Sequence, residues 1–322
     1  MCTARTDRLA ALAAALLLAC GTDSPTDADR SAVGPSFNSS AGPEWSAPVN
    51  LGPDVNSPVA DQNPGVSADG LTLYFQSNRP GGLGDFDIWV TRRASRDSPW
   101  EPPVNVGHPV NTPFFDAGPS LSPDGHLLFI HSNRPGTMGG NDIWMARRSG
   151  SKDEEDWETP VNLGPDVNTT DDDNGADYVP SDGGGALYFN RGNIALQLAD
   201  LYRVGLKRDG RTEGPAQPVT ELNAPGFNDN APTLRADARE ILFTSNRPGG
   251  VGAADIWVST RQSANQLWSP PVNAGPPLNT PFADQHPELT QDARTLFFSS
   301  GRPGGSGGFD LWMSTRHASS KR

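Results

Sequence analysis

Five aspartates stand at the head of an Asp-x-x-Pro step: Asp61, Asp116, Asp177, Asp229 and Asp284. Carboxylates gathered near one axis repel unless something compensates them, so this series could ring the mouth of a channel and bind a cation. Repetition favours another role, in which each aspartate caps a turn or pairs with an arginine of its own repeat. Arginines recur at a matching interval, as Arg79, Arg134, Arg191, Arg247 and Arg302, and a planar guanidinium suits loop carbonyls or the carboxylates of the Asp87 series. Symmetry breaks in the third repeat. There an acidic run, Asp171, Asp172 and Asp173, offers an oxygen-rich candidate for calcium, although it lacks the glycine and terminal glutamate of a helix-flanked calcium loop. Asn190, Arg191 and Asn193 replace the Ser-Asn-Arg-Pro-Gly-Gly of the other copies and are the candidate ligand-facing residues.

Other chemistry leaves little trace. The chain has no Gly-x-Ser-x-Gly elbow, no His-Glu-x-x-His pair and no Gly-x-x-x-x-Gly-Lys phosphate loop. Its five histidines share no repeat position. A net charge of −13 disfavours nucleic acid and anionic lipid surfaces as partners.

The elements that carry these residues follow from the interval. The five arginines lie 55, 57, 56 and 55 residues apart, which is the scale of a four-stranded propeller blade. Each copy reads as an outer strand with proline beside it (Trp45 to Gly52 and its repeats), a short strand after Asp-x-x-Pro, and an Asp-Gly turn. An apolar strand such as Leu71 to Phe75, a glycine-rich loop and an Asp-Ile-Trp strand complete it. The chain opens on an isolated outer strand and stops after the fifth Asp-x-Trp strand, so the expected fold is all-β. It is a five-bladed β-propeller whose N-terminal strand completes the last blade.

With Asp-x-x-Pro, Ser-Pro-Asp-Gly, Leu-x-Phe, Ser-Asn-Arg and Asp-Ile-Trp together, residues 44 to about 316 resemble the WD-repeat-like Pro-Asp repeat of TolB-type propellers. The resemblance implies an extracytoplasmic scaffold, not an enzyme, that binds a protein or small ligand at one face. The alternative is a carbohydrate-active enzyme, since five-bladed glycoside hydrolases use acidic residues from different blades that leave no local motif. No resident cofactor is expected, calcium aside, and the propeller is expected to be monomeric.

The start of the chain resembles a bacterial lipoprotein signal: Arg5 and Arg8, an apolar run from Leu9 to Leu18, then Ala19 and Cys20. It implies a signal peptide over 1–19, lipidation at Cys20, a polar tether over 20–43 and a propeller over 44–322. It also implies a cell-envelope location, periplasmic or at the outer membrane, with the membrane met only through the lipid.

Overall fold

The computed structural model describes residues 45–148, 156–193 and 196–316. The signal segment, Cys20, the tether and His317 lie outside them.

The first strand, β1 (Val49–Asn50), stands alone. The first blade follows with β2 (Asp61–Val66), β3 (Thr72–Ser77), β4 (Asp87–Arg92) and β5 (Val104–Asn105). The second has β6 (Asp116–Leu121), β7 (Leu127–Ser132), β8 (Asp142–Arg147) and β9 (Val161–Asn162). The third has β10 (Asp172–Ser181), β11 (Gly184–Asn193), β12 (Leu198–Lys207) and β13 (Gln217–Pro218). The fourth has β14 (Asp229–Leu234), β15 (Glu240–Ser245), β16 (Asp255–Thr260) and β17 (Val272–Asn273). The chain ends with β18 (Asp284–Leu289), β19 (Thr295–Ser300) and β20 (Asp310–Thr315).

These strands form five antiparallel sheets of four, and the fifth sheet runs β1-β20-β19-β18. Val49 faces Met313 and Asn50 faces Trp312, so the first strand closes the ring as the outer edge of the last blade. The fold is the five-bladed propeller that the repeat interval implies.

Second strands such as Leu73-Tyr74-Phe75 are apolar on both faces because blades stack on both sides of them. Phe75, Phe129, Phe189, Phe243 and Phe298 are fully buried, each worth about 1.5–3 kcal/mol relative to exposure. The core lies between blades: one cluster joins Tyr74 and Ile88 of the first blade to Leu128, Ile130 and Trp144 of the second. In the third blade the inner three strands are ten residues long, against six in the others.

Candidate functional site

The innermost strands line the axis, and their first residues carry the repeated aspartates. Asp61 pairs with Arg79 at 2.5 Å, Asp116 with Arg134 at 2.5 Å, Asp229 with Arg247 at 2.5 Å and Asp284 with Arg302 at 2.6 Å. In the third blade the partner of Arg191 is Asp173, at 2.7 Å, which corrects the placing of Asp177 in this series. Asp177 is followed by Pro180 and so satisfies Asp-x-x-Pro four residues out of frame. All five carboxylates are buried, and each arginine also donates to a loop carbonyl, as Arg79 does to Val55 and Arg134 to Val110. Each pair is therefore a clamp of its own blade, joined to the loop before the innermost strand. The Asp87 series, expected beside the arginines, instead accepts from the glycine-rich loop and from an outer-strand asparagine, as Asp142 does from Met138 N–H and Asn162.

Two residues beyond each aspartate the strand bulges. The register breaks in all five inner strands, and Asn63, Gly118, Gly175, Ala231 and His286 take φ between 47° and 59°. This left-handed backbone is unfavourable for a residue with a Cβ, and it turns one N–H out of the blade's own ladder. The neighbouring blade accepts that N–H each time. Gly118 donates to Gln76 Oε1 (3.1 Å), Gly175 to His131 Nδ1 (3.4 Å), Ala231 to Asn190 Oδ1 (3.1 Å), His286 to Thr244 Oγ1 (2.9 Å) and Asn63 to Ser299 Oγ (3.1 Å). A belt of five hydrogen bonds with five different acceptor types thus sews the blades together. His131 accepts at Nδ1 and must be neutral there, and burial lowers its pKa to about 3, with the nearby His286 adding to the effect. His286 is lowered to about 4 by burial, and among the described residues its Nδ1 has no hydrogen-bond partner.

Two residues further on, the axis carries Gly65, Ser120, Asp177, Thr233 and Glu288. Here lies the feature that sequence reasoning missed. Asp177 accepts from Leu234 N–H at 2.8 Å, and Glu288 accepts from Val66 N–H at 3.2 Å and from Thr233 Oγ1 at 3.3 Å. Neither forms an ion pair with a described residue. Burial pushes Asp177 up to about 7, with Ser120 close enough to favour the charge slightly though without hydrogen-bond geometry. Glu288 is raised well above the ordinary carboxylate range by burial and then by the charge of Asp177. The charge of one acid therefore raises the cost of ionising the other. Glu288 and Ser120 open onto an axial cavity of about 30 Å³, room for one or two waters. Glu288 is part-buried and lines this cavity, while Asp177 is buried behind it.

The other candidates are placed elsewhere. Asn190 is buried in the belt, Arg191 is in its clamp, and Asn193 accepts from Leu196 N–H at 3.0 Å. In the acidic run, Asp173 is clamped, Asp172 accepts from Asn141 N–H at 3.0 Å and Asp171 is exposed. Among the described residues no group of three or more His, Cys, Asp or Glu is arranged to hold a metal ion. An alignment of the repeats on Asp173 was the signal that would have exposed Asp177 and Glu288 as one position.

The fold is a five-bladed propeller with two carboxyls, Asp177 and Glu288, at one level of its inner strands. No family model matches the chain, and no curated protein matches it. Among solved structures, the α-L-arabinofuranosidase of Lactobacillus brevis is similar over 84% of this chain and 93% of its own, at 11% identity and a TM-score of 0.58. The endo-arabinase of Bacteroides thetaiotaomicron is similar over 83% and 99%, at 18% identity and a TM-score of 0.57. TolB of Acinetobacter baumannii aligns over 80% of the chain and 55% of its own, at 13% identity and a TM-score of 0.47, too low to support the repeat resemblance. At these identities the likeness establishes the fold. It also corrects the expectation of a binding scaffold that is not an enzyme: that expectation rested on the fold, and several solved structures that share the fold are glycoside hydrolases.

Proposed function

We propose that this chain is a carbohydrate-active enzyme of the glycoside hydrolase type, with Glu288 and Asp177 as its acid–base pair. The observation that carries this reading is the pair itself. Accepting a backbone N–H at a blade seam needs only an oxygen, and Thr233 supplies one to Leu289 N–H at 3.1 Å without any ionisation cost. Two carboxyls within electrostatic reach, neither ion-paired among the described residues, exceed that structural need. Glycoside hydrolysis needs one carboxyl protonated to release the leaving oxygen and another ionised to activate water or attack. Glu288, which opens onto the cavity, is assigned as the acid, and the more buried Asp177 as the base.

The hydrolases that share the fold direct the substrate class to arabinose-containing glycans. The test is release of reducing sugar from arabinan, and of nitrophenol from its arabinofuranoside, by the wild type, Asp177→Asn and Glu288→Gln. Turnover that falls by roughly 100-fold or more in each variant is expected from loss of general acid–base catalysis. Absence of turnover, or variants as active as the wild type, overturns the reading.

We also propose that the chain is exported and lipidated at Cys20, on the strength of Leu17-Leu18-Ala19-Cys20. Incorporation of labelled fatty acid that survives Cys20→Ser would exclude this.

A further inference from the structure

Four arginines lie at one repeat position, just beyond the third strand of their blades: Arg93, Arg148, Arg261 and Arg316. Each guanidinium lies over the tryptophan of the same blade's outer segment, at 4.3 Å from Trp100, 4.2 Å from Trp157, 3.9 Å from Trp268 and 4.5 Å from Trp45. Three of them also reach across the seam to an oxygen of the preceding blade. Arg148 donates to Tyr74 Oη at 3.0 Å, Arg261 to Tyr188 Oη at 3.2 Å, and Arg316 to both carboxylate oxygens of Glu240 at 2.7 and 2.6 Å. Arg93 does not. The residue equivalent to Tyr74 and Tyr188 at its seam is Phe297, which meets Trp100 edge-on and has no oxygen to offer.

Arg93 spends Nε on Gly70 O and Nη1 on Arg96 O, and among the described residues Nη2 has no acceptor. Its side chain instead helps line a groove of about 400 Å³ between the fifth and first blades, with Leu51, Met313 and Trp100 as apolar walls and Asp54, Asp97 and Arg96 as the other charged groups. The neighbouring Arg96 is already matched by Asp292.

We propose that this groove binds a ring-bearing carboxylate, with the carboxylate on Arg93 and the ring against Leu51, Met313 and Trp100. The chain itself shows what the position accepts, since phenol and carboxylate oxygens fill it at the other three seams. The volume is that of a small-ligand site and exceeds what a single side chain would fill. Burial and the Arg96 charge lower the pKa of Arg93, an effect that Asp97 only partly opposes, so an anion placed on Nη2 relieves the buried charge. Two sources supply such a group: a uronate unit of a glycan, or a phenolic acid. The site is remote from the axial acids and independent of the hydrolase reading.

The experiment is thermal shift and calorimetric titration with digalacturonate, its methyl ester and 4-hydroxybenzoate, on the wild type and on Phe297→Tyr. This variant supplies Arg93 with the phenol that Tyr74 and Tyr188 supply at other seams, and removes no contact. The acids are expected to raise the melting temperature of the wild type while the ester does not. Phe297→Tyr is expected to fold with at least wild-type stability and to bind roughly ten- to a hundred-fold more weakly, as loss of a charged hydrogen bond dictates. Response to digalacturonate alone assigns a uronate, and response to 4-hydroxybenzoate alone assigns a phenolic acid. Silence from both acids, or equal binding by Phe297→Tyr, overturns the proposal.

Discussion

Gly175 N–H donates to His131 Nδ1 across the seam between the second and third blades, at 3.4 Å. A ring nitrogen here does the work that an amide oxygen does at Gln76 and Asn190, and that a hydroxyl does at Thr244 and Ser299. The absence of a side chain at Gly118 gives the imidazole its space, because a Cβ there would lie 2.3 Å from the ring.

The belt makes its own substitution table. His131→Gln places the Gln76 solution at the second seam and is expected to hold stability within about 1 kcal/mol. His131→Leu leaves the Gly175 N–H buried without an acceptor and is expected to cost about 1–3 kcal/mol. Urea unfolding of the two variants checks the difference. Equal losses would mean that packing of the ring, and not acceptance of the N–H, is what counts.

Stability should depend on pH through the axial acids. Asp177 has a folded pKa of about 7, above its unfolded value of about 3.9, so the folded state binds the proton more tightly. The contribution of Asp177 to stability is full below about pH 4 and is lost as pH rises through about 7. Asp177→Asn removes its share of the decline with pH, up to ~4 kcal/mol at pH 8, and leaves the share that burial imposes on Glu288. His131 and His286 act in the opposite sense: their folded values, about 3 and about 4, lie below the unfolded ~6.5, so stability falls as pH drops below 6.5. The variant should keep that acidic arm. Unfolding free energies of wild type and variant that run parallel from pH 4 to pH 8 would contradict the assignment.

Glycine-rich loops press on the next blade's backbone. A Cβ on Gly84 would lie 2.0 Å from Phe114 O, and one on Gly252 the same distance from Phe282 O. Gly84→Ala is expected to lose about 1–3 kcal/mol by forcing that seam apart. Gly308→Ala, where a Cβ meets nothing within 4 Å, is expected to stay within about 0.5 kcal/mol of wild type. Differential scanning calorimetry compares them, and similar melting temperatures would show that the seam yields freely.

The ring, its blade count and its closure were legible because each depends on patterns that repeat: apolar second strands, Asp-Gly turns, and an outer strand present before the first blade but missing after the last. The axial acids were not. Asp177 and Glu288 come from different blades and share no local motif, and only the bulged register brings their side chains to one level of the channel. The third blade also disguised its own frame. Arg191 lies on the strand where the other blades carry serine, two positions earlier than Arg79 does, yet its guanidinium reaches the equivalent carboxylate, Asp173. A long side chain tolerates that shift in space, whereas a sequence alignment does not.

The pairing of β1 with β20 sets the order of assembly. Val49 must meet Met313, so the first strand made waits for the last before it can pair. Until then the array has a free edge at both ends and a long loop to close, which slows completion of the native topology and leaves strands open to foreign chains. A two-residue β1 limits that hazard, because so short an edge offers little template for aggregation. The closure that completes the last blade is thus also a late folding event that leaves strands open until it happens.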